Sequence, residues 1–187
     1  MSADWRVHMK SREHSYVTEA AYVLFIVIGN PLEEVLVETP AMSVEVIMVP
    51  VSDVERAIQF YVAQVGFTLD VDYAPNDEFR VVQLTPPGSQ CSIQIGSGLT
   101  DVSAGSLGNI YLVVTDLEAA RNRLRERGVD VSEIRHKTPI GAWNGGLAPG
   151  LDPVRGNYAS FANFCDPDGN TWVLQERGYR NESPRER

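Results

Sequence analysis

Hydrophobic and polar positions along this chain repeat as two copies of one pattern. A short β-branched run, residues 45–50 in the first copy and 110–114 in the second, predicts a strand. Apolar residues then recur at helical spacing, along Val54, Ala57, Ile58 and Tyr61 and again along Leu117, Ala120 and Leu124, so each helix offers one face to a sheet. Val51-Ser52-Asp53-Val54-Glu55 aligns with Val114-Thr115-Asp116-Leu117-Glu118 at the two helix entries. Ser52 and Thr115 are the expected N-caps, each followed by an acid suited to the positive end of a helix. Gly66 and Gly128 end the helices, because glycine takes the left-handed conformation at low cost.

Three further strands follow each helix. They are expected near 68–72, 78–85 and 91–96 in the first unit, with "TPPGSQ" as a turn, and near 130–136, 158–165 and 171–176 in the second, with "DPDGN" as a turn. Proline at the second turn position and glycine at the fourth fit a type I reversal. Two β-α-β-β-β units, each with one exposed sheet face, can bury those faces by meeting across a pseudo-twofold axis, which leaves a cleft between the sheets. The fold class is α+β. Residues 138–157, "TPIGAWNGGLAPGLDPVRGN", form a Gly- and Pro-rich excursion before the penultimate strand, of a length that is either functional or a mobile surface loop.

Composition narrows the classes. At 187 residues, 43% hydrophobic and 22% charged, the chain can bury a core as one domain or two small fused ones. A net charge of −9 argues against a surface that neutralises phosphates, so nucleic acid is not an expected partner. Cys91 and Cys165 are too few for a secreted disulfide framework, and reduced thiols in the cytoplasm are expected. The longest apolar run, "AAYVLFIVI" from Ala20, is well short of the ~18 residues that cross a bilayer, so no membrane partner is expected. Residues 1–42 lie outside the repeat and read as an N-terminal extension, poorly ordered at first, with a strand or short helix through 23–28; a membrane-surface or dimerisation segment is the alternative. Residues 178–187 form a polar, frayed tail.

"VPVSDVERAIQFY…GF", the second "VVTDLEAA…RG" and the closing "DPDGNTWVLQE" together resemble the vicinal oxygen chelate superfamily, which includes glyoxalase I, the extradiol dioxygenases and the bleomycin-resistance proteins. The resemblance covers residues 43–177, with module one at 43–98 and module two at 107–177. It implies paired modules curled around a central cleft, and it does not by itself imply a reaction. In members that do chemistry, four inward side chains hold a divalent metal; carried onto this chain, those positions are Val46, Gln94, Asn109 and Val173. Valine has no donor, and neutral amides bind such metals poorly. A one-residue slip would turn Glu45, Ile47, Ile110 and Trp172 inward and still assemble no ligand set. His8 and His14 fall in the extension, and His136, on the second strand of module two, reads as a surface or packing residue. Glu176 lies on the opposite pleat face from Val173, where a solvent-side salt link is expected. No metal and no cofactor are expected.

If Val46 faces the cleft, so does Met48, and with Asn109 come Tyr111 and Val113. Pairing across the turns sets Val81 opposite Gln94, Gln83 opposite Ser92, Asn163 opposite Val173 and Phe161 opposite Gln175, while Ile93, Ile95, Phe164 and Trp172 turn toward the helices. The amides on the cleft face either bond one another and trapped water or receive a small, neutral or partly aromatic ligand, with Phe161 and Tyr111 as flat surface. Trp143 could close over the mouth as a lid, with Asn144 and Arg155 adding polar contacts. Two functions follow: a small-molecule binder of the glyoxalase/bleomycin-resistance type, or an enzyme with a non-standard or metal-free site, for which Tyr111, aided by His136 if its strand bends in, is the candidate acid or base. A homodimer is compatible with both.

Overall fold

The computed structural model describes residues 41–180. The strand or helix expected within 23–28 lies outside the described residues, as does most of the polar tail. In the first unit, β1 (Val46–Met48) leads to α1 (Val54–Ile58), then to β2 (Thr68–Asn76), β3 (Phe79–Thr85) and β4 (Ser92–Ser97). The second holds β5 (Ile110–Val114), α2 (Leu117–Glu126), β6 (Arg135–Lys137), β7 (Leu147–Pro149), β8 (Ser160–Cys165) and β9 (Thr171–Glu176). Strand order is β1-β4-β3-β2 in one sheet and β5-β9-β8-β6-β7 in the other. β1 runs parallel to β4, and β5 parallel to β9. The architecture is α+β, with two modules of the same internal order and one added strand.

Several local expectations are corrected. Asp53 and Asp116, not Ser52 and Thr115, are the N-caps; their carboxylates accept from the backbone N–H of Arg56 and Ala119. Asp at the capping position satisfies an otherwise orphaned amide and adds charge at the positive helix end. The first helix is α-helical only to Ile58 and continues as a wider π-helix over Gln59–Val65, which ends on Gly66 at φ 95°. The first hairpin pairs Val81 with Gly96 and Gln83 with Gln94, two residues away from the expected register. A two-residue displacement leaves every side chain on its expected face. The strand expected near 130–136 is reduced to a bridge at Val131 and the short β6, while the excursion folds back as β7, which pairs with β6.

The core lies between the two sheets. Val82, Leu84, Ile93 and Ile95 from the first sheet and Ala162, Phe164, Trp172 and Leu174 from the second belong to one buried cluster with Phe60, Tyr61 and Phe67. Phe164 stacks on Trp172 at 6.1 Å, and Trp172 meets both Tyr61 and Phe67 edge-on. Such aromatic pairs add about 0.5–1.5 kcal/mol each beyond area burial. The modules therefore meet through their helix-bearing faces.

The turn between β8 and β9 locks this packing. Oδ1 of buried Asp166 accepts from the backbone N–H of Asp168, Gly169 and Asn170; Oδ2 accepts from the Tyr61 hydroxyl at 2.7 Å and the Asn170 amide at 2.7 Å. Burial first, and the Asp166 charge second, push the Tyr61 phenol far above its usual range, so it stays a donor. Asn170 also donates to the Pro50 carbonyl and accepts from Leu107 N–H, and Asp168 accepts from Arg56 at 2.8 Å and from the Ser52 hydroxyl. Gly105, at φ 76°, passes so close that a Cβ there would sit 2.0 Å from the Asp168 carbonyl oxygen. Gly105→Ala should cost about 2 kcal/mol, from the positive φ and a backbone clash that cannot relax by a rotamer change, and urea unfolding measures it.

Candidate functional site

Alternation along each strand sends one set of side chains into the core and the other to an open face. On the first sheet, Val46 pairs with Ser92, Met48 with Gln94, and Gln83 with Gln94, which gathers the module-one cleft residues on one surface. Tyr73 lies opposite Val81 and Val71 opposite Gln83, so β2 extends the same surface. On the second sheet, Tyr111 pairs with Val173, Asn163 with Val173, and Phe161 with Gln175, beside Asn109 at the start of β5. The structure does not bring the two sets together within the chain. Because both sheets turn their other face to the shared core, the two surfaces point away from it on either side.

The module-one surface has an ordered polar line. Gln83 Nε2 donates to Ser92 Oγ at 3.1 Å, Ser92 and Thr85 hydroxyls lie 2.7 Å apart, and Thr85 donates to Asp70. Each hydroxyl has one proton. With Thr85's committed to the carboxylate, Ser92 must donate to Thr85 and accept from Gln83, so the whole line runs one way. Neither Asp70 nor Thr85 is signalled by the apolar pattern.

The module-two surface carries a residue that pattern reasoning missed. Arg135 lies opposite Phe161 in the β6–β8 pairing, its guanidinium carbon 5.8 Å from the Phe161 ring centre and its Nη2 donating to Asn163 Oδ1 at 3.1 Å. Lys137, two residues along the same face, sits 4.6 Å above the Trp143 ring. Asn109, Asp130, Ser132, Asn163, Cys165 and Thr171 line a pocket of about 400 Å³ on this side. Gln175 donates to the Tyr158 carbonyl, and its own oxygen has no hydrogen-bond partner among the described residues.

Other residues take roles that differ from those expected. Glu176 is wholly buried rather than solvent-side: it accepts from Leu117 N–H at the start of α2 and is gripped by both Nε and Nη2 of Arg155. Arg155 is therefore a structural partner, stacked under Tyr179, and not a polar contact in the cleft. His136 pairs with Ser160, on the side away from Phe161, and its Nδ1 meets the Gly150 carbonyl. It cannot assist Tyr111. Tyr111 is 58% exposed, and among the described residues no side-chain hydrogen bond activates it. Trp143 donates to Gly146 O within its own loop and is half exposed.

Four side chains stand at the positions where the resemblance implies the ligands of a divalent metal. Val46 and Val173 are hydrocarbon, Gln94 and Asn109 are neutral amides, and among the described residues no three His, Cys, Asp or Glu side chains gather within reach of one ion. That donor set does not fit. Nor is any helix among the described residues long and apolar enough to cross a membrane.

Residues 43–174 match the family model of the Glyoxalase/Bleomycin resistance protein/Dioxygenase superfamily. TnmS3 from Streptomyces sp. CB03234, an antibiotic binding protein, is 33% identical, with 74% of this chain and 98% of that one covered at a TM-score of 0.56. A glyoxalase/bleomycin resistance protein from the same organism is 34% identical over 72% of this chain and all (100%) of that one, with a TM-score of 0.54. A superfamily member from Sphaerobacter thermophilus DSM 20745 is 28% identical over 73% of this chain and 98% of its own, at 0.55. No curated protein matches.

Proposed function

Since the chain belongs to the glyoxalase/bleomycin resistance protein/dioxygenase superfamily, we propose that it binds a small, partly aromatic molecule between the module-one surface of one copy and the module-two surface of another, without a divalent metal. The observation that carries this reading is the furnishing of the two open faces: hydrocarbon, hydroxyl and amide groups stand where metal-dependent members hold imidazole and carboxylate. The similarity to TnmS3, an antibiotic binding protein, supports binding over turnover.

A second copy completes the site. Val46, Val71, Tyr73, Tyr111 and Val113 are each 40–58% exposed on the open faces, and among the described residues β1 and β5 are both edge strands with an unpaired side. Exposed apolar surface beside open strand edges is what an interface covers. A twofold axis that sets module one of each copy against module two of its mate makes both contacts at once and yields two equal sites per dimer.

Two measurements test this together. Dialysis against EDTA should leave both the melting temperature and ligand affinity unchanged, and planar aromatic probes should raise the melting temperature by mass action. A stoichiometric divalent ion whose removal abolishes binding would overturn the metal-free reading.

A further inference from the structure

Four of the ten arginines among the described residues meet carboxylates. Arg56, Arg80, Arg121 and Arg155 each form an ion pair, with Asp168, with Asp72 and Glu55, with Glu133, and with Glu176 and Asp116 respectively. Arg135 does not. Its head is fixed by an amide oxygen, Asn163 Oδ1, and by the face of Phe161. Both partners orient a guanidinium without neutralising it, since a neutral acceptor and a ring quadrupole leave its full charge in place. Among the described residues only one of its five N–H donors is engaged.

Its position gives that charge a use. Phe161 pairs with Gln175 and Asn163 with Val173, so Arg135 stands at the edge of the same surface as Tyr111, whose strand β5 pairs with β9 on the far side. Asn163 also lines the 400 Å³ pocket, which places the pocket wall and the guanidinium in direct contact. Lys137, likewise held by an aromatic ring, adds a second cation further along β6. In a chain of net charge −9, this strip is locally positive. Asp130 is the acid that lines the pocket, and none of the ion pairs formed among the described residues engages Arg135.

We propose that Arg135 sets the ligand class of this site, selecting planar aromatic molecules that carry an anionic oxygen, a carboxylate or acidic phenolate, in reach of the guanidinium while the ring lies against Phe161. The proposal rests on the binding function proposed above and adds a specificity-determining residue to it. Arginine suits the task because its planar fork meets two oxygens at once while its face stacks on a ring.

The test uses the full chain and a matched pair of fluorescent probes, 1-hydroxy-2-naphthoate and its methyl ester, titrated at neutral pH. The wild-type protein should bind the acid at least about tenfold more tightly than the ester. Arg135→Met should remove most of that preference by weakening the acid about tenfold while leaving the ester within about twofold, and Arg135→Lys should retain part of it. Equal melting temperatures for the three proteins establish that the fold is intact. Equal binding of both probes by the wild type, or equal weakening of both by Arg135→Met, overturns the role of Arg135 and leaves small-molecule binding standing. Failure of the wild type to bind either probe overturns this selection and counts against the binding function as well.

Discussion

Replacing Asp166 by alanine should lower the unfolding free energy by about 3–5 kcal/mol, the largest effect of any substitution considered for this chain. The carboxylate accepts five hydrogen bonds in a site that water does not reach, three from its own turn, one from Asn170 and one from Tyr61 across the module boundary. Alanine removes all five bonds; the Gly169 N–H keeps a second acceptor, the carbonyl of residue 166, and the Asn170 amide keeps its bond to the Pro50 carbonyl. The Tyr61 hydroxyl also accepts from Trp172 Nε1 at 3.2 Å, so the loss spreads into the aromatic cluster that both modules share. Asp166→Asn should cost less, because one oxygen can still serve the three turn amides while the new NH₂ opposes only Tyr61 and Asn170. Tyr61→Phe, which removes the bond to Asp166 and the acceptor of Trp172 Nε1, should cost about 2–3 kcal/mol. Urea unfolding of the three variants gives the ranking directly, and an Asp166→Ala variant within 1 kcal/mol of wild type would mean that the turn does not hold the modules together.

Tyr111→Glu should dissociate the proposed dimer by at least a factor of about one hundred and abolish ligand binding with it. Tyr111 is exposed in the single chain, where a solvated acid at this position changes stability by no more than about 0.5 kcal/mol. Buried against a second copy, the same carboxylate has no cation on its own module within the pairing of β5 and β9, and it loses its hydration. Fold and assembly therefore separate cleanly. Analytical ultracentrifugation over a concentration series should show a wild-type dimer and a folded variant monomer. A wild-type monomer at all concentrations, or a variant that dimerises equally well, would overturn the shared site.

Much of the fold was legible because alternation reports which face a side chain takes. β5 and β9 fall where the β-branched runs placed them, and Phe164, Trp172, Ile93 and Ile95 are buried as their parity required. The first hairpin shows the limit of that signal: parity survives a two-residue displacement, so the pattern could not measure the loop that Pro86 and Pro87 lengthen. Long-range polar roles were not legible. "DPDGN" announces a turn, but its carboxylate and amide find Tyr61 and Pro50, which lie in the other module, and nothing local marks them as partners. Glu176 read as a solvent residue because an acid at a strand end usually is; Arg155, which lies in the excursion with φ 50°, reverses that. Arg135 was missed for the opposite reason. β6 reads Arg-His-Lys, with no apolar residue to say which face is which, and only its pairing with β8 reveals it.

The one-way proton line from Gln83 through Ser92 and Thr85 to Asp70 has a chemical corollary. Rotating the Gln83 carboxamide by half a turn would set its oxygen against a hydroxyl oxygen that has no proton left to give, so the carboxamide is held in one orientation with its oxygen turned from Ser92. A visitor touching that wall meets a fixed base-like oxygen, and O-methylation of a phenol, which barely alters size or flatness, would erase the handshake.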